Sequence, residues 1–291
     1  MKNFHKKAFS LIEISVVIVI IGILIAGVSQ GIDLYQDMRL ATARSLTQNS
    51  RVNHIEDLTI WFEATSEQSF ENPNPQDEER IALWKNINFK LSNRIDVAQS
   101  NQASKPFYVR SAINNIPALR FDNAQLLTVS NVKISEIVSS NQATVFVVQN
   151  NFGGDNTSST FSWATGSRTT TPILTDFLNQ NKIITFVKNS SNVKIKINAE
   201  ILANSSTAND LFWAEVVPIF TAEILANSST AGDSIDMSLS TDFSIGKFFP
   251  DNNYFFLGYI GEFIVFKRAL TDAEIKDIEK YLSKKWSIKI N

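Results

Sequence analysis

By pattern, the chain divides into one long apolar stretch, one helical repeat and many short alternating runs. Residues 9–28 read FSLIEISVVIVIIGILIAGV, interrupted only by Ser10, Glu13, Ser15, Gly22 and Gly27. Its β-branched run would suit a buried strand if it were short, but at this length only a helix accommodates it. At about 1.5 Å rise per residue the helix is roughly 30 Å long, the thickness of a bilayer's hydrocarbon core. Downstream, Ile32, Tyr35, Met38 or Arg39, Ala43 and Leu46 recur at spacings of three and four, with polar residues between them. The spacing predicts an amphipathic continuation of the same helix, ending where Asn and Ser break the pattern at residues 48–53.

From Ile55 onward the texture changes to short runs separated by Asn, Ser, Gly and Asp: LTIWFEA (58–64), ALRF (118–121), ATVFVVQ (143–149), IITFVK (183–188), VKIKIN (193–198) and EFIVFK (262–267). Many short strands without alternating helices predict an antiparallel sandwich rather than a parallel α/β sheet. About 235 residues is a natural size for a single two-sheet jelly roll. At the far end, Thr271 with Glu274 three residues later forms a capping box. Behind it Ile275, Ile278, Leu282 and Trp286 make one apolar stripe, and Lys284 and Lys285 suit the negative end of the helix dipole.

Charge and composition narrow the function. With 27 Lys and Arg against 29 Asp and Glu, the chain lacks the basic excess that a nucleic-acid partner calls for. The absence of Cys excludes disulfides, thiolate metal sites and Cys nucleophiles. The mean hydropathy of −0.05 averages one very apolar helix with a polar remainder. Lys2, Lys6 and Lys7 precede that helix, which holds its start in the cytoplasm and places the rest of the chain on the far side. A secretory signal has an apolar core of about 7–15 residues with no acid in it. This run is longer and contains Glu13. A carboxylate inside a membrane helix costs on the order of 2.5–3.5 kcal/mol at the centre and less near an edge, so Glu13 asks for a partner.

The residues KKAFSLIEISVVIVIIGILIAG taken together closely resemble the N-terminal segment of type IV pilins and of the pseudopilins of type II secretion systems. The resemblance implies a leader, residues 1–8, cut by a prepilin peptidase between Ala8 and Phe9, with Phe9 then N-methylated. It makes residues 9–28 a transmembrane and assembly helix and residues 29–54 a stalk helix. Glu13 becomes the fifth residue of the mature chain, paired with the N-terminal amine of a neighbouring subunit. The sequence departs from the family at Ala8, where Gly is usual; Ala is also small, so processing is expected to survive. The implied partners are the prepilin peptidase, other pilin-like subunits and the inner membrane, crossed once with the head on the periplasmic side or carried in a filament.

Four further stretches resemble laminin-G-like, concanavalin A-like lectin/glucanase domains: residues 58–64 with Ile81 and Trp84, residues 113–129, residues 143–148 and residues 258–288. They imply that residues 55–291 form one all-β jelly-roll head with a C-terminal helix, presenting a surface for a glycan or surface-protein ligand. AEILANSSTAND at residues 199–210 recurs as AEILANSSTAGD at residues 222–233, which reads as a tandem insert that longer surface loops tolerate. The leading function is a minor pilin or pseudopilin of a type IV pilus or type II secretion-like apparatus. The alternative is a membrane-tethered lectin-like module that enters no filament.

No catalytic constellation stands out. A glycoside hydrolase of this fold needs two carboxylates about 5–9.5 Å apart, and the densest acidic groups, Asp77, Glu78, Glu79 and Glu274, Asp277, Glu279, lack strand spacing. His54 is the one histidine beyond the leader, too little for a triad or a metal site. Gly153, Gly154, Asp155, Asn156 and Asp251, Asn252, Asn253 supply oxygen-rich turns, but neither completes a calcium-loop motif. Trp61, Trp84 and Trp286 fall at core positions, leaving Trp163 and Trp213 as weak sugar-stacking candidates. No enzyme activity, metal or cofactor is expected.

Overall fold

The computed structural model describes residues 10–122, 124–139, 142–152, 161–165, 168–170, 179–189, 192–205, 240–247 and 255–291. Ala8 and Phe9, the turns at residues 153–156 and 251–253, Trp213 and most of the duplicated insert lie outside these residues.

Helix α1 runs from Leu11 to Gln48, and at about 1.5 Å per residue its 38 residues span about 57 Å. It starts at a capping box, in which Ser10 caps the helix and its N–H donates to Glu13 Oε2 at 2.8 Å. A short 3-10 turn, Val52–His54, then leads into the sheets.

The described strands are β1 (Leu58–Glu63), β2 (Glu79–Arg80), β3 (Leu83–Trp84), β4 (Val97–Ala98), β5 (Phe107–Ile113), β6 (Ile116–Asp122), β7 (Leu127–Lys133), β8 (Gln142–Asn151), β9 (Phe161–Thr165), β10 (Arg168–Thr170), β11 (Asn181–Asn189), β12 (Asn192–Ile197), β13 (Glu200–Ser205), β14 (Ser240–Ile245) and β15 (Leu257–Phe266). All described pairings are antiparallel. They form a nine-stranded sheet in the order β13-β12-β11-β8-β15-β6-β5-β2, and a six-stranded sheet in the order β10-β9-β14-β7-β4-β3. Strand β15 is the pivot: its first half pairs with β6 and its second half with β1, while β8 runs along its other edge.

The two sheets close on a core that includes Ile60, Phe62, Val145, Phe243 and Phe263. Because side chains alternate along a strand, Trp61, Phe146, Ile264 and Phe266 point the other way, into a second core. A one-turn helix, α2 (Ile134–Ile137), follows β7, and the C-terminal helix α3 (Asp272–Trp286) together with the end of α1 covers that outer face. The C-terminal helix therefore lies flat on one sheet instead of plugging the end of the sandwich. Its capping box and its stripe of Ile275, Ile278, Leu282 and Trp286 are as the pattern predicts. The Trp286 ring lies so close over Gly261 that a side chain at that position would collide with it.

Two sequence expectations are corrected by the fold. Ile32, Tyr35 and Met38 belong to the helical repeat but remain exposed, because the head first touches α1 through polar side chains at Asp37 and Arg39 and buries it only farther on, at Ala43 and Thr47. Lys285 does not sit at the helix end in solvent; its side chain is 0 % exposed and paired with two carboxylates.

Candidate assembly site

The first half of α1 is apolar on every side. Leu11, Ile12, Ile14, Val16, Val17, Ile18, Val19, Ile20, Ile21, Ile23, Leu24, Ile25 and Val28 are all exposed. Beyond its own helix, a methyl group added at Gly22, Gly27 or Gly31 would touch nothing among the described residues. Removing one such large apolar side chain from water stabilises by about 1.5–3 kcal/mol. Thirteen of them therefore represent a driving force on the order of tens of kcal/mol toward a lipid or protein environment that the described residues do not supply. The helix is long and apolar enough to cross a membrane by length and composition. Glu13 stands one turn from its start, its carboxylate occupied locally by the Ser10 N–H.

The second half of α1 is clamped to the head by polar contacts. Asp37 pairs with Arg110 at 2.9 Å. Arg39 donates to Ser287 Oγ at 2.8 Å. Arg44 binds the Thr65 carbonyl at 2.8 Å, Glu67 at 2.7 Å and Asn74 at 3.1 Å. A groove of about 570 Å³ runs between helix and head, lined by Asp37, Arg44, Glu67, Tyr108 and Arg110 among others. Burial pushes the Tyr108 hydroxyl up to about 12, so it stays a neutral phenol at any physiological pH.

At the base of the clamp lies a feature that sequence reading missed. Glu63 of β1 and Glu262 of β15 are direct cross-strand partners. Both side chains are buried, and Lys285 Nζ lies between them, 2.7 Å from Glu63 Oε2 and 2.9 Å from Glu262 Oε2. Trp61 Nε1, Trp286 Nε1 and Tyr281 Oη each donate to Glu262 at 2.8 Å. Tyr281 Oη also meets Thr47 Oγ1 of α1 at 3.2 Å, so one network joins stalk, first strand, last strand and last helix. Burial, then the Glu262 and Glu63 charges, push the Tyr281 hydroxyl well above the ordinary phenol range. Glu63 sits two residues after Trp61 in a strand that is apolar apart from Thr59, and a charged residue in such a strand was the available signal.

The remaining sequence candidates lie apart from this cluster. His54 is exposed at the end of the 3-10 turn. The two acidic groups are absorbed by internal contacts. Asp77 accepts from the Arg110 backbone and Glu78 pairs with Arg120. Glu79 accepts from Gln76, Asp277 pairs with Arg51 and Glu279 with Lys196. Arg268 and the Thr271 cap hold the Glu274 carboxyl down to about 2. Trp61, Trp84 and Trp286 are core residues, and Trp163 belongs to β9.

Comparison with known proteins adds two findings. Residues 3–29 match the prokaryotic N-terminal methylation motif, the leader of type IV pilins. No curated protein matches the chain in sequence. Among solved structures, domain 4 of the extracellular arabinanase AbnA from Geobacillus stearothermophilus, in complex with arabinotriose, is similar with a TM-score of 0.46 and 15 % identity. That match covers 77 % of this chain and 98 % of that one. Trypanosoma rangeli sialidase in complex with sialic acid is similar with a TM-score of 0.49 and 11 % identity, over 79 % of this chain and 33 % of that one.

Proposed function

We propose that the chain is a structural subunit, a minor pilin or pseudopilin, of a type IV pilus or type II secretion-like apparatus. The observation that carries this reading is the leader motif at residues 3–29 joined to a helix whose apolar half finds no partner among the described residues. A prepilin peptidase removes residues 1–8 by cutting between Ala8 and Phe9, and Phe9 becomes the methylated N-terminus. The lysines at positions 2, 6 and 7 keep that end cytoplasmic, so the head projects from the inner membrane on the periplasmic side. In the uncut chain Glu13 caps its own helix through Ser10. Once the cut frees the Phe9 amine, Glu13 pairs with the amine of a neighbouring subunit, and two charges that are costly in lipid neutralise each other on assembly. The head, held to the end of α1, is the surface that other proteins or glycans meet.

Glu13→Ala tests the assembly reading. Co-purification with other pilin-like subunits from membranes should be lost while membrane insertion and head folding persist. Undiminished co-purification would leave a tethered module that does not assemble. Mass spectrometry of the N-terminal peptide checks processing, since an unmethylated chain still starting at Met1 contradicts the leader assignment.

A further inference from the structure

The buried cluster at the base of the clamp contains more carboxylate than it can neutralise. Glu63, Glu262 and Lys285 are all excluded from water, which leaves two carboxylates against one ammonium group. Tyr281 and Trp286 wall the site, their ring centroids 5.7 and 5.3 Å from Lys285 Nζ.

The two carboxylates are not equivalent. Glu262 is the better satisfied: Oε1 accepts from Trp61 and Tyr281, and Oε2 accepts from Trp286 and forms an ion pair with Lys285 Nζ at 2.9 Å. Glu63 is lopsided. Its Oε2 accepts from the Thr65 N–H at 2.8 Å, the Thr65 hydroxyl at 2.6 Å and Lys285 Nζ at 2.7 Å. Its Oε1 is buried with no hydrogen-bond partner among the described residues. An amine is thus held against a carboxyl group that has one oxygen gripped by two fixed donors and the other oxygen free. A second carboxylate touches the same amine. Those are the parts an acyl-transfer step requires: a positioned nucleophile, donors on the oxygen where charge develops, and a base within hydrogen-bond reach.

We propose that Lys285 and Glu63 condense into an intramolecular amide, with Glu262 as the proton carrier. Glu262 relays a proton from the Lys285 ammonium to Glu63 Oε1, and the freed Nζ lone pair attacks Cδ of the resulting carboxylic acid. Negative charge on Oε2 is stabilised by the Thr65 N–H and hydroxyl. Glu262 then carries a second proton from the nitrogen to Oε1, which departs as water when the Cδ–Oε1 bond breaks and Oε2 becomes the amide carbonyl. One ammonium and one carboxylate become one amide and one water, so charge and atoms balance without an oxidant or co-reactant. The product removes one buried ion pair and the unpartnered oxygen together, and it leaves Glu262 in its own set of indole and phenol donors.

The bond would tie the first strand after the stalk to the last helix, across almost the whole head, in a chain with no cysteine to do the same work. It is independent of filament assembly, since every group that forms it belongs to the head.

Tryptic digestion of the denatured full-length chain, purified in detergent, decides it. Lys285 in an amide resists trypsin, so residues 285–289 should appear joined to residues 52–80, lighter than the two separate peptides by one water. Lys285→Met and Glu262→Gln should both release residues 52–80 as a free peptide. Free residues 52–80 from the folded wild-type chain, with cleavage after Lys285, would overturn the proposal whatever the variants do. A cross-link that persists in Glu262→Gln would overturn the role given to Glu262.

Discussion

Helices α1 and α3 begin alike and end in opposite surroundings. Each starts at a capping box, Ser10 with Glu13 and Thr271 with Glu274. Beyond the cap, α3 is apolar along one stripe, and that stripe is wholly covered by the nine-stranded sheet. The first half of α1 is apolar all round and covered by nothing among the described residues. A one-sided helix carries the address of a partner within its own fold. An all-round apolar helix carries the address of another phase or another subunit. The contrast recurs inside α1, whose last turns switch to the one-sided mode as soon as they reach the head.

The sharpest way to break this contrast is to damage both helices equally. Trp286→Ala removes a fully buried ring that covers Gly261 and donates to Glu262, and should cost about 3–5 kcal/mol, a fall in Tm on the order of 10 °C. Ile20→Ala trims a side chain that is exposed among the described residues and should change head stability by less than about 0.5 kcal/mol. Thermal unfolding of both variants in the same detergent makes the comparison. Equal losses would mean that the apolar half of α1 belongs to the core of the fold.

What sequence could foresee obeys the same division. The limits of α1, both strands flanking the clamp and the stripe of α3 were legible, because each is written in local period and capping chemistry. The run at residues 58–64 corresponds to β1, and that at residues 262–267 to the second half of β15. Lys285, Glu63 and Glu262 were not legible in their roles. Alternation in a strand marks a polar residue as facing outward, and the pattern does not say that the outward face of this sheet is roofed by α3. Nor does helical spacing tell how far down the stalk the head extends. Ile32 and Tyr35 keep the period of a docked face, yet they lie below the point where docking begins, and Met38, between the first docked residues, stays exposed. Global topology, which no single segment encodes, decides each of these.

Within α1 the comparison sharpens through Arg44, which binds three groups of the head at once. Arg44→Ala should weaken the clamp by about 1–2 kcal/mol, because charged hydrogen bonds are lost but part of the site is wet. Amide hydrogen exchange of residues 39–48 should then accelerate by on the order of tenfold, a local opening short of global unfolding. Exchange of residues 11–28 in the same detergent should not move. Uniform acceleration along α1 would mean that the helix is one cooperative unit and that the switch between its halves is only topographic.

The smallest effect tests the likeness of the two caps. Glu274 has what Glu13 lacks among the described residues: Arg268 at 2.6 Å, the pairing that contributes most to holding its carboxyl near 2 instead of 4.5. A carboxyl whose folded-state value is depressed stabilises the fold fully above its unfolded value, and that contribution is lost as pH falls through the folded one. The wild-type chain should therefore exceed Glu274→Gln in stability by on the order of 1 kcal/mol at neutral pH, since the pair is partly solvated and the cap is worth about as much. The difference should persist down to about pH 4.5 and disappear by about pH 2. Denaturant titrations at a series of pH values would track it. A gap that stays constant across that range would assign the stability to the hydrogen bonds of the cap, which a neutral side chain also makes, and would remove the ion pair as the difference between the two helix starts.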